Sequence, residues 1–171
     1  MEFGVPRPML KTSSPRATFL KTALLALAFT AGTTFPAEPF LEKQDLFTAN
    51  VGGHALYHIP GIVVTARGTV LAWCEARQKG GDWDQIEILL RRSTDGGRHF
   101  DAPASIAHVP GPKTKNPFSL GVKKVNPADV TYNNPVMIAD RDGTVHFLFC
   151  LEYMRCFYTL SNDDEIGRAH V

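Results

Sequence analysis

From residue 56 onward the apolar and polar positions form a β pattern, short apolar runs broken by turns and, in residues 85–93, a period of two, the spacing of a strand that buries one face. Residues 61–65 (GIVVT) form a β-branched run, residues 66–68 (ARG) a turn, and residues 69–77 (TVLAWCEAR) a second strand. Across residues 85–93, Ile86, Ile88 and Leu90 fall on one face and Glu87 and Arg91 on the other, which predicts a third, half-buried strand. Strand character returns at residues 136–139 (VMIA), turns at 140–143 (DRDG), continues through 144–152 (TVHFLFCLE) and resumes over 154–160. No amphipathic helix of useful length is predicted in this part of the chain. Between the two strand groups, residues 109–134 are rich in Pro, Gly, Asn and Lys and lack periodicity. A connection that long is either a binding loop or a solvated surface excursion.

The strand groups repeat one another. Residues 64–73 (VTARGTVLAW) align with 139–148 (ADRDGTVHFL) as strand, Gly-Thr-Val turn and strand, and each then leads through a third strand to Ser-x-Asp, at Ser93 and at Ser161. Antiparallel units of about seventy residues repeated in this way are the signature of propeller blades. The fold class is therefore predicted as all-β, a β-propeller. Closing a propeller takes about four to eight blades, so two leave apolar faces open.

Composition adds little to this picture: 44% hydrophobic and 20% charged residues are ordinary for a folded domain, and a formal net charge of +1 provides no basic field for nucleic acid. No nucleic-acid partner is expected. The N-terminus says more. Lys11, Arg16 and Lys21 precede the apolar run 23–31 (ALLALAFTA), followed by small and turn-forming residues up to Ala37. That is the layout of a secretory signal over residues 1–37, which predicts a secreted or periplasmic protein. The run is too short for a stable membrane span. Cys74, Cys150 and Cys156 have no metal-ligand spacing and are expected to be structural; export would permit a disulfide, and Cys150 and Cys156 are the nearest pair. With no zinc, phosphate-loop or dinucleotide motif, neither a metal nor a cofactor is expected.

The last seven residues, EIGRAHV (165–171), break the repeat where a glycine is due after Asp164, and they read as the translation of a common sequencing adapter. The expectation is that residues 38–164 are the N-terminal part of a longer propeller and that 165–171 are a non-native tail.

Several motifs occur together and in order: Tyr57-His58-Ile59-Pro60, Glu75-Ala76-Arg77, Gly81-Asp82-Trp83-Asp84, Arg91-Arg92-Ser93, and the Ser93-Thr-Asp-Gly-Gly-Arg-His-Phe100 turn, an Asp-box. This set resembles the N-terminal part of the exo-α-sialidases (neuraminidases), most of all the secreted bacterial ones, over about residues 53–164. The resemblance implies a six-bladed β-propeller, entered here for about its first two blades. It also implies a glycoside hydrolase that releases terminal sialic acid from glycans or glycoconjugates. In that family an arginine triad grips the sugar's carboxylate, an aspartate acts as acid/base, and a tyrosine backed by a glutamate is the nucleophile.

Carried over by position, Asp82 matches the acid/base aspartate, with Asp84 as the alternative, and Arg77 matches a pocket arginine that contacts the ring substituents. Asn134 matches a pocket Asn or Asp of the second blade. His58 stands where the family motif carries the first triad arginine. Arginine presents a permanently charged fork to a carboxylate, whereas histidine offers at most two donors and is largely neutral at pH 7. The departure implies weaker sialate binding, a different sugar, or a propeller that binds glycans without cleaving them. The nucleophile and the remaining arginines are expected beyond this stretch, so the fragment alone is expected to be inactive.

Overall fold

Among the described residues, alternation along the chain is realised as seven strands in two antiparallel sheets. The structure is a computed structural model that describes residues 40–121 and 125–166; the predicted signal sequence and residues 167–171 of the predicted tail lie outside the described residues. The first sheet has the order β1 (Leu56–Val64), β2 (Val70–Arg77), β3 (Ile86–Ser93) and β4 (Ala104–Ser105). The second has the order β5 (Tyr132–Ala139), β6 (Val145–Leu151) and β7 (Arg155–Ser161). Two residues are too few to show a period, so β4 had no sequence signal; it pairs Ser105 with Leu89 and Ala104 with Leu90.

The repeat is structural as well as textual. In each sheet the first strand bulges before its central residues, at Ile59-Pro60 in β1 and at Asn134-Pro135 in β5. Proline cannot donate to a ladder, and a bulge is where a strand tolerates it. The residue before each proline has positive φ, 49° at Ile59 and 52° at Asn134. The bulge explains why β5 starts at Tyr132 and not at Val136: the strand continues through the proline that interrupts its sequence pattern.

Gly61, just past the first bulge, has a packing reason. A Cβ there would lie 2.2 Å from Trp73 Cζ2, so only glycine lets the indole cross β1. The indole N–H then donates to the carbonyl of Pro135, in the second sheet, at 3.2 Å. The sheets bury Leu71, Trp73, Ile88 and Leu90 against Met137, Phe147, Phe149 and Leu151. On the far face of the second sheet Val136, Ile138, Tyr158 and Leu160 are exposed, the open apolar face that an unclosed propeller leaves.

Polar ties supplement the apolar core. Asp164, buried, accepts from Thr65 Oγ1 at 2.8 Å and from Arg67 Nη1 at 3.2 Å. The two Ser-x-Asp turns close by the same device: Ser93 Oγ donates to Asp95 Oδ1 at 2.8 Å and accepts the Gly97 N–H, while Ser161 Oγ donates to Asp163 Oδ1 at 2.6 Å and accepts the Glu165 N–H. The described residues of 109–134 contain one helical turn, α1 (Pro117–Leu120), capped by the Asn116 side chain. They are also anchored inward. Lys115 is buried, its ammonium 3.2 Å from Glu152 Oε1 and donating to Thr131 Oγ1 and the carbonyls of Trp83 and Asp129. The three cysteines are free thiols; burial and the neighbouring Glu75 charge push Cys74 up to about 12, and Cys150 faces Cys156 across β6 and β7.

Candidate active site

Alternate residues of β2 point at the second sheet, and along that row chemistry changes abruptly: Leu71 and Trp73 are apolar, Glu75 and Arg77 are charged. Both charged residues are enclosed, Glu75 at 0% exposure and Arg77 at 3%. Charges are found that deep only when paired and hydrogen-bonded. Arg77 Nε and Nη2 both reach Glu75 Oε2, at 3.1 and 2.7 Å, and the other carboxylate oxygen accepts the Asn134 N–H at 2.8 Å. One arm of the guanidinium remains, and Nη1 uses it to donate to Asp82 Oδ1 at 2.7 Å. Burial works to lower the arginine's pKa, but the bonds to Glu75 and Asp82 outweigh it and raise it. Arg77 is thus a fixed cation, held from below and presented above.

Asp82 sits on the loop between β2 and β3 with its side chain 68% exposed. The loop is shaped by its own second acid: Asp84 Oδ2 accepts the Gly81 N–H at 2.7 Å, and a Cβ on Gly81 would meet that oxygen at 2.8 Å. Asp84 therefore folds the loop, and Asp82 carries the carboxylate that faces out beside Arg77.

The turn between β6 and β7 closes the site from the second sheet. Tyr153 lies within electrostatic reach of Glu75, Asp82 and Arg77; burial foremost, then the carboxylate charges of Glu75 and Asp82, raise its hydroxyl pKa, with the Asn133 side chain and Arg77 opposing. Next to it is the Asn133 carboxamide, fully buried; it acts on the Tyr153 hydroxyl, and neither of its amide atoms makes a well-formed hydrogen bond. Buried amides without partners are rare, and each calls for a reason.

The sequence-predicted residues divide accordingly. Arg77 and Asp82 touch. Asn134 enters through its backbone N–H, and the carboxamide that turns into the site belongs to its neighbour Asn133. His58 is exposed at the β1 bulge, in register with Glu75. Glu75 and Trp83, whose ring meets Tyr153 at 4.9 Å, stood in the motifs without an assigned role, and Asn133 and Tyr153 had none either. The repeat did contain a signal for one of them, since aligning Pro60 with Pro135 places Asn133 opposite His58. Among the described residues no cluster of three or more His, Cys, Asp or Glu could hold a metal ion, and no helix is long and apolar enough to cross a membrane.

No family model matches the chain. A sialidase from Micromonospora viridifaciens is 42% identical over 71 residues, covering 40% of this chain and 11% of that protein. The fold is similar to that of a leech intramolecular trans-sialidase solved with 2,7-anhydro-Neu5Ac, at a TM-score of 0.50 and 21% identity, over 66% of this chain and 18% of that one. A Hadza microbial sialidase aligns over 68% of this chain and 25% of its own at 19% identity, with a TM-score of 0.49. The chain thus spans a small part of the length of the proteins it matches. In sequence over the matched segment and in its two-sheet, partial-propeller fold, the chain is sialidase-like.

Proposed function

We propose that the chain carries the acid/base half of the active site of an exo-α-sialidase-type glycoside hydrolase, which releases terminal sialic acid from glycoconjugates. The observation that carries this reading is the Glu75–Arg77–Asp82 relay: a buried carboxylate aims a buried guanidinium at an exposed carboxylate, in a setting otherwise lined by Tyr153 and Asn133. Asp82 would deliver its proton to the glycosidic oxygen as the bond from that oxygen to the sugar's anomeric carbon breaks, and recover it from the attacking water afterwards. Arg77 would contact the ring substituents. The unspent amide of Asn133 supports a polar ligand group at this place, because a substrate hydroxyl or amide can use both its donor and its acceptor.

The test is turnover of a sialoside reporter by the full-length gene product. Asp82→Ala is expected to lower kcat by at least about 100-fold, the usual worth of a positioned acid. Wild-type turnover unaffected by Asp82→Ala would sink the assignment. Residues 38–171 by themselves are expected to show no turnover, since the nucleophile pair is expected elsewhere in the protein.

A second reading is kept by His58, exposed on β1 where the family motif has arginine. Under it the propeller binds glycans without cleavage or acts on another sugar. His58→Arg should then create or strengthen sialoside turnover, whereas strong turnover by the unaltered protein removes this reading.

A further inference from the structure

Cys150 and Cys156 stand directly opposite one another where β6 and β7 pair, one residue pair short of the turn that joins the strands. Opposed residues of an antiparallel ladder have Cα atoms about 4.5 or about 5.5 Å apart, and a disulfide spans about 4.4–6.8 Å, so the pairing itself supplies the spacing a bridge needs. Paired residues also point to one side of the sheet. Here that is the open side, with Cys150 half-buried and Cys156 exposed, and the two thiols come within hydrogen-bonding reach. Cys74 differs on each count: it is buried in β2 and faces Leu89.

The pair closes off the turn that carries Glu152 and Tyr153. Those two residues have φ of 58° and 53°, consecutive left-handed conformations that non-glycine residues other than Asn and Asp seldom adopt, and such backbone persists where its surroundings over-determine it. Glu152 is held by Lys115 and by its own N–H on the Thr131 carbonyl, at 2.8 Å. On the Cys156 side the Met154 N–H reaches the Leu151 carbonyl at 3.2 Å, the long end of the usual range. A covalent bridge at the base of the turn holds both flanks at once.

We propose that Cys150 and Cys156 are a redox-active dithiol that exchanges with a small-molecule disulfide and, once oxidised, braces the turn presenting Tyr153 to the charged pair. Nothing in this depends on the role of Asp82. Cys156 reacts first, because it is exposed, whereas burial and then the Cys156 charge raise the pKa of the Cys150 thiol. The Cys156 thiolate attacks one sulfur of the small disulfide, bonds to it and expels the other half as a thiolate. The Cys150 thiolate then attacks the Cys156 sulfur and expels the second half. Two protein thiols are thus oxidised to one disulfide, their protons pass to the expelled thiolates, and the small disulfide is reduced to two thiols.

The experiment treats the full-length gene product with oxidised glutathione, alkylates the remaining free thiols and maps tryptic peptides by mass spectrometry. Arg155 lies between the two cysteines, so cleavage there separates residues 142–155 from the peptide that begins at Cys156 unless a disulfide joins them. The joined pair is expected, lighter than the sum of its parts by the hydrogens lost and parted again by dithiothreitol, with the buried Cys74 left without glutathione. Cys150→Ser should stop after the first exchange and retain glutathione on Cys156. Lasting glutathione on Cys156 in the unaltered protein, or separate peptides with alkylated thiols, overturns the proposal. Amide hydrogen exchange across residues 151–155 should slow by about tenfold or more on oxidation, as expected for a short cross-linked loop. Equal exchange in the two forms overturns the brace.

Discussion

At the end of the second strand of each repeat the two sheets place opposite charges at equivalent positions, Arg77 in the first and Glu152 in the second. On either side of that point they follow one plan, with the same proline bulge and Gly-Thr-Val turn before it and the same serine-closed turn after it. At the tip they part. Arg77 is paired below with Glu75 but spends its last arm on a carboxylate open to water. Glu152 is surrounded: Lys115, the Thr131 N–H and the Asn116 N–H satisfy its oxygens, and no part of it faces out. One tip is an open relay and the other a closed anchor. A scaffold repeated twice therefore yields a chemical end and a structural end, according to whether the loop that follows leaves a charge exposed or folds back over it.

The sharpest way to break that comparison is to remove the anchor's cation. Lys115→Met keeps the apolar stem but leaves the Glu152 carboxylate buried without its counter-ion, and breaking a buried pair in this way costs about 3–5 kcal/mol. Urea unfolding should show a loss of that size. A loss below about 1 kcal/mol, the range of exposed pairs, would mean that the tip is hydrated in solution and the anchor is not closed.

A smaller effect should appear at the first of the serine-closed turns. Asp95 accepts backbone N–H groups from Arg98 and His99 and a contact from the His99 ring, and these bonds, the His99 backbone bond foremost, hold its pKa well below the usual aspartate value. A carboxylate whose folded pKa is depressed adds stability above its unfolded pKa, about 3.9, and loses it as pH falls from there toward the folded value. The difference in urea midpoint between wild type and Asp95→Asn should therefore be larger at pH 6 than at pH 2.5. A difference independent of pH would show that the turn is closed by shape alone.

How much of this was legible beforehand differs between the two regions for physical reasons. Apolar runs between turns, with period-two alternation where one face is wet, marked six of the strands: β6 alternates, every second residue buried, whereas β2 is buried along its whole length. It failed at β4, which is two residues long, and at the start of β5, where Pro135 hides a strand that survives through its bulge. Arg77 and Asp82 were legible because five spaced motifs locate them on the chain. Glu75 was in one of those motifs without being assigned a role, since nothing local says that its carboxylate turns to meet Arg77. Residues 109–134 had no period to read; what holds Lys115 there is its reach to Thr131 and Glu152, contacts between residues distant in sequence. Tyr153 and Phe118 come together with Trp83 only through that anchoring, so a local pattern contains no trace of the cluster.

The finest test of the open tip is one in which almost nothing happens to the fold. Asp82→Asn removes a charge that pairs with Arg77 across 2.7 Å, yet most of the Asp82 side chain is in water. Exposed pairs are screened and contribute about 0–1 kcal/mol, and the asparagine oxygen can still accept from Nη1. Meanwhile Arg77 keeps both bonds to Glu75, so no buried charge loses its partner. Urea unfolding of Asp82→Asn should therefore match wild type to within about 1 kcal/mol. A loss approaching that of Lys115→Met would place Asp82 in the same structural class as the anchor, and its exposed carboxylate would then be explained by stability instead of chemistry.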